Sequence, residues 1–386
     1  MKHLHRLTTT FFALLAALAV APNALAYSTS TCNGEPVKWN SNTVTVRASS
    51  TSFPSGTWRN AIDEAVDRIN DNPSNFQYNL VTDSGGVALD NGQNEIWGTS
   101  DTSLLDGAPA VAYTWWTCYW FFGNVVHMDE VDIIFDFTSP FQWTTSTTKT
   151  NLLRYGGTAR PIQTTAAHEL GHGLKLNHVN TEYNVMGTDF EHIHVNGNTA
   201  RAYFGEDAAD GAVELYGLDN DDREDVAVVH WKYAGASGEY SDHEKTAVYT
   251  SDGTDEVNSF DDNGETRYWV SPGQVVQVEF SYENNGATTQ SVDVGFYIST
   301  NSTISTWDTR IGGTSMTLGR NGVYTTKRTV TIPTTLASAT DYWIGAVVDE
   351  DDSLGEVAEW NNATYLPIRT PFAYVIYYPA VIGLHL

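Results

Sequence analysis

Positive charge is scarce in this chain. Only 20 Lys and Arg stand against 47 Asp and Glu in 386 residues, a formal net charge of −27. That balance excludes nucleic acid and anionic membrane surfaces as partners. It describes a solvated acidic surface, or one that attracts basic groups. Long apolar runs are also missing. Residues 11–21 are too few to span a bilayer, and the apolar tail, residues 371–386, is short and broken by Pro379. No membrane span is therefore expected in the mature chain. Cysteine is nearly absent, with Cys32 and Cys118 alone. In an exported chain that even count suggests one disulfide, tying the N-terminus to the middle of the first domain.

What is present is aromatic and polar. Aromatics make up 12% and charged residues 17%, and such a mixture suits β-rich extracellular domains. Lys2 and Arg6, the apolar residues 11–21 and Ala24-Leu25-Ala26 have the order of a secretory signal peptide over residues 1–26. The mature chain then starts at Tyr27 and is secreted.

Residues 27–218 carry the pattern of an α/β domain. Residues 43–47 alternate like a strand. Trp58, Ala61, Ile62, Ala65, Val66 and Ile69 recur at helical spacing, ended by Asn72-Pro73. Residues 76–81, 94–97 and 125–137 are further expected strands. A helix is expected over residues 163–176, capped by Thr164 or Thr165, and a closing helix over 208–216, stopped by Gly217. A loop is expected from Met186 to about Asn198.

Asp219, Asp221, Asp222, Glu224 and Asp225 then open an acidic linker with a β extension, residues 219–268. Oxygen ligands on alternate residues would suit structural Ca2+, but Arg223 breaks the series and favours a solvated linker. From Val226 on the pattern is short alternating strands separated by turn residues, which suggests an all-β sandwich, with residues 269–370 as its module.

The chemistry concentrates in His168-Glu169-Leu170-Gly171-His172. On a helix, residues four apart share a face, so both imidazoles can reach one zinc ion. Glu169 stands beside the first ligand, where its carboxylate can take a proton from an activated water. His178 lies six residues past His172, beyond the same helical face. The chain must leave the helix and turn back for it to become the third ligand. His192 and His194 are the competing third ligands. His127, Asp129 and Asp132 on the long strand are candidates for a second, structural ion.

The string HELGHGLKLNH, residues 168–178, resembles the metzincin zinc metalloproteases, H-E-x-x-H-x-x-G-x-x-H with a methionine turn downstream. Tyr183-Asn184-Val185-Met186-Gly187 looks like that turn, which places Met186 beneath the metal. The upstream pattern is similar to the matrixin branch. Lys175 stands where the family has glycine. That glycine lets the chain turn sharply, often with positive φ, so Lys175 either takes the left-handed conformation or hands the turn to Asn177. The inhibitory propeptide cysteine motif is absent, although Cys32 as a thiolate cap on the metal is the alternative to the disulfide.

Residues 270–369 resemble bacterial CARDB modules, which are immunoglobulin-like, on Tyr282-Glu283-Asn284-Asn285-Gly286, Val347-Val348-Asp349 and residues 357–362. The resemblance implies a surface, a polysaccharide or a protein as partner of that module, with a stabilising spacer as the plainer role. The expectation for the whole chain is a secreted zinc endopeptidase. Zinc is held by His168, His172 and His178, Glu169 is the general base, and protein or peptide is the substrate. The alternative is a non-catalytic adhesion protein with a structural zinc site.

Overall fold

The structure is a computed structural model that describes residues 27–83, 85–120, 123–138, 141–180, 182–187, 193–219, 223–233 and 244–372. The expected signal peptide, Asp221, Asp222, His192 and residues 373–386 lie outside the described residues. Strands dominate and helices are few. No helix among the described residues is long and apolar enough to cross a membrane.

The first unit is built on five strands. They are β1 (Thr43–Ser49), β2 (Gln77–Asp83), β3 (Glu95–Thr99), β4 (Ala110–Tyr119) and β5 (Val125–Asp136), in the order β2-β1-β3-β5-β4. The first four in that order run parallel, and β4 closes the edge antiparallel to β5. Helix α1 (Thr57–Asn70) crosses from β1 to β2 and buries Ala61, Ile62, Ala65, Val66 and Ile69, the expected stripe. Helices α2 (Ile162–Gly173) and α3 (Glu206–Tyr216) complete the unit. Gly217, at φ 79°, stops α3 in a conformation that favours glycine.

Several expectations need correction. Helix α2 begins at Ile162, with Thr164 and Thr165 buried inside it and no side-chain cap. Arg160–Pro161 pairs with Trp143–Thr144, so an extended Pro161 leads directly into the helix. The loop expected after Met186 holds a hairpin, Ile193–Asn196 against Thr199–Ala202. The expected strand over 125–137 is β5, inside the sheet, and β4, which was not expected as a strand, forms the edge beside it.

The second unit is a sandwich that begins well before residue 269. β6 (Val226–Val229) and β7 (Val248–Tyr249) pair with β10 (Val275–Asn284). β8 (Ser259–Asp262) and β9 (Glu265–Trp269) start the second sheet. That sheet continues through β11 (Gln290–Ser299), β12 (Thr309–Leu318), β14 (Asp341–Val348) and β15 (Ala363–Arg369), in the order β8-β9-β15-β14-β11-β12. β13 (Val323–Thr331) pairs with the other side of β10. Valines and aromatics from both sheets fill the space between them. The segment expected as a linker is thus part of both sheets, because its short apolar stretches find partners far along the chain. At its start Asp219 pairs with Arg223 at 3.0 Å, and buried Asp225 accepts hydrogen bonds from Asn285 and Asn361.

The two units share a third apolar cluster. Tyr155, Tyr183, Ile193 and Tyr203 of the first meet Val229, Trp231, Tyr297 and Tyr365 of the second. Buried Lys149 reaches Glu265 at 2.5 Å and also the Tyr365 hydroxyl. Trp231 is 3% exposed and stacks on Tyr183 at 5.4 Å. Trp231→Ala is expected to cost about 3–5 kcal/mol by opening a cavity at this seam, read as a shift in chemical denaturation.

Candidate metal centre

The site grows from the C-terminal half of α2. Residues 168 and 172 lie one turn apart on its cleft side, His168 1% exposed and His172 partly buried. The last carbonyls of a helix lack intrahelical donors. Here aromatic side chains donate to that end: Trp39 Nε1 to Gly173 O at 2.7 Å, Tyr216 Oη to Leu174 O at 3.2 Å, and Tyr78 Oη to Leu170 O at 3.0 Å, which also accepts from the Leu174 N–H. These donors come from distant parts of the unit and fix where the helix ends.

The chain then turns at Lys175, whose φ is 75°. A left-handed non-glycine residue costs on the order of 1 kcal/mol. Lys175 takes this conformation itself; Asn177 does not take over the turn. Leu176–Asn177 next pairs with Ser28–Thr29, and His178 follows. The turn carries His178 back over the helix face.

Three imidazoles meet there. His178 Nε2 lies 3.2 Å from His168 Nε2 and 3.0 Å from His172 Nε2. Neighbouring nitrogens of a tetrahedral metal site stand about 3.3 Å apart when each bond is about 2.0–2.1 Å. The other ring nitrogens of the two helix histidines are occupied. His168 Nδ1 donates to Val185 O at 2.6 Å, and His172 Nδ1 donates to Leu176 O at 2.8 Å. Those bonds fix the tautomer that leaves each Nε2 lone pair facing the cluster. Burial, and then the neighbouring imidazoles, push His168 well below its ordinary range and His172 down to about 4, so both rings are held neutral. The donor set therefore fits a metal ion.

Met186 sits beneath. Its Sδ lies so near Gly171 that a Cβ there would meet it at 2.3 Å. Asn184 Oδ1 accepts from the Met186 N–H at 2.7 Å, and the Met186 carbonyl accepts from Val179 N–H at 3.0 Å. The same turn thus supports His168 through Val185 and His178 through Val179. Gly171→Ala is expected to push Met186 aside and weaken metal binding about 10–100-fold, read by competition with a chromophoric chelator.

Glu169 is 2% exposed and lines the cleft with the three histidines. Burial pushes its carboxyl up to about 8, and a hydrogen bond from the Ala112 backbone pulls the other way. Ala112 belongs to β4, so the sheet edge runs past the site. The cleft is about 260 Å³, walled by Ala108 to Thr114 on one side and by the histidines and Lys175 to His178 on the other.

The remaining expected ligands lie elsewhere. His194 is buried against Trp360, edge to face at 5.4 Å. His127 and Asp129 pair at 3.1 Å on the partly exposed face of β5, while Asp132 is fully buried beside Glu130 and Glu95. Among the described residues, His127, Asp129 and Asp132 do not form a group of three ligand atoms close enough to hold one ion. Cys32 and Cys118 form a disulfide, with Cα atoms 6.3 Å apart, which overturns the thiolate-cap alternative. Trp39, Tyr78 and Tyr216 are the contributors that motif spacing does not reveal.

No family model matches the chain, and no curated protein matches it. Among solved structures, the CARDB domain of the PF1109 protein from Pyrococcus furiosus, crystallised with di-metal ions, matches at 16% identity and a TM-score of 0.25. It covers 40% of this chain and 100% of that one. The solution structure of the same domain matches at 18% identity and a TM-score of 0.24, covering 39% and 97%. OgpA from Akkermansia muciniphila matches at 12% identity and a TM-score of 0.19, covering 88% and 94%. Likeness at these scores carries no argument about the chemistry of this chain.

Proposed function

We propose that this chain is a secreted zinc-dependent endopeptidase whose first unit has a metzincin-like design. The observation that carries the proposal is the convergence of the His168, His172 and His178 Nε2 atoms within 4.8 Å, beside a buried Glu169 in an open cleft. Imidazole nitrogens in a tetrahedral array suit zinc. Among the described residues no fourth His, Cys, Asp or Glu joins the three, as a purely structural zinc site would require. The left-handed Lys175 and the Met186 turn add to the resemblance, and the disulfide suits an oxidising compartment outside the cell.

His168, His172 and His178 would hold the ion. The chemistry such an ion supplies when bound is Lewis acidity toward water and a peptide carbonyl. Glu169 is placed to accept a proton at its carboxylate and to return it to the departing amine. The edge of β4 offers backbone groups along which an extended peptide can add as a further strand. Buried Leu170 and Leu174 pack α2 on the sheet and hold helix and edge at a fixed separation.

The test is proteolysis of casein by the purified mature protein, with and without a zinc chelator. Cleavage that stops with chelation and returns with added zinc supports the proposal. Zinc bound with no cleavage of any protein or peptide would sink it.

A further inference from the structure

Lys175 does something that a glycine at this turn could not. Its Nζ donates to Thr114 Oγ1 at 2.7 Å and lies 3.8 Å from the centre of the Trp116 ring. Both partners are on β4, across the cleft from the helix end. The side chain thus bridges the cleft floor, and Lys175 and Thr114 both line the cleft. Lys175 is 8% exposed, yet both partners are neutral. Burial pushes the ammonium down, and among the described residues its contacts are the Thr114 hydroxyl and the Trp116 ring. An ammonium carries three donors, of which Thr114 takes one. A desolvated cation that a hydroxyl and a ring face only partly compensate remains costly unless an anion reaches it.

The surroundings say where that anion enters. Ala112 faces Glu169, and Thr114 lies two residues further along the same edge, about 7 Å at the rise of a strand. An extended chain paired with β4 would place a side chain near Lys175 about two residues from the bond beside Glu169. Lys175 is the only Lys or Arg among the described residues that line the cleft, and on an acidic protein it is a selective mark.

We propose that Lys175, held by Thr114 and Trp116, is a specificity-determining residue that binds a carboxylate side chain of the substrate, Asp or Glu, about two residues from the cleaved bond. This rests on the endopeptidase proposal and deepens it. The left-handed strain at Lys175 is the structural cost of placing an ammonium there.

The experiment uses internally quenched peptides in pairs that differ only as Asp or Asn, with the change moved through three positions on each side of the cut. Hydrolysis by the full mature protein gives kcat/KM, and anisotropy gives peptide affinity for the zinc-loaded Glu169→Gln protein. One position is expected to favour Asp by about tenfold. Lys175→Met should abolish that preference, Thr114→Val should reduce it, and Lys175→Arg should keep it. Lys175→Gly, which relieves the backbone, should be folded and without preference. Cleavage with no Asp preference, or with one that survives Lys175→Met, overturns the inference and leaves the peptidase standing. Tighter binding of Asp peptides without cleavage of any peptide supports Lys175 and sinks the peptidase. The absence of both binding and cleavage overturns the inference and the peptidase together.

Discussion

Glu169→Gln is expected to lower peptide hydrolysis by about 10²–10⁴-fold while the protein keeps its zinc. The change is isosteric. The Gln carbonyl can still accept the Ala112 N–H, so the fold of the cleft is preserved. What is lost is a group able to take a proton and return it. Glu169 does not belong to the converging nitrogens, so zinc content should be unchanged. Steady-state hydrolysis and zinc content measured on one preparation give both numbers. Wild-type hydrolysis in the variant would remove Glu169 from the mechanism.

The second large effect concerns the third ligand. His178→Ala is expected to weaken zinc binding by more than the about 100-fold that loss of a supporting hydrogen bond produces. It removes one of three nitrogens outright. His194→Ala should leave zinc affinity unchanged and lower stability instead. His194 is 2% exposed and packs on Trp360, away from the cluster. Zinc titration of the two variants side by side separates them. Loss of zinc in His194→Ala with retention in His178→Ala would reverse the assignment.

The parts of the molecule that local periodicity governs are legible in the sequence. Of the six residues at helical spacing α1 buries five and leaves Trp58 partly buried against the core, and α3 stops at Gly217. β4 is not legible, because Tyr113, Trp115, Trp116 and Tyr119 put aromatics on both of its faces and erase the alternation. Its burial is intermediate almost throughout, as suits an edge strand beside a cleft. The stretch 219–268 looks like an acidic linker with a β extension, and its place inside both sheets is not legible. Val226–Val229 becomes a strand only by pairing with Ser281–Asn284. His168 and His172 follow from helix geometry alone. His178 depends on a turn whose stability comes from Met186, Thr114 and the Ser28–Thr29 pairing. The turn falls at Lys175, one of the two positions the sequence offered for it, with φ 75°.

The most direct measurement is X-ray absorption at the zinc edge on the purified mature protein. The predicted result is one zinc per chain with three imidazole nitrogens and one further oxygen ligand at about 2.0–2.1 Å, a set that loses one imidazole in His178→Ala. A zinc-free protein, or a zinc with four protein ligands unaffected by His178→Ala, would contradict the account.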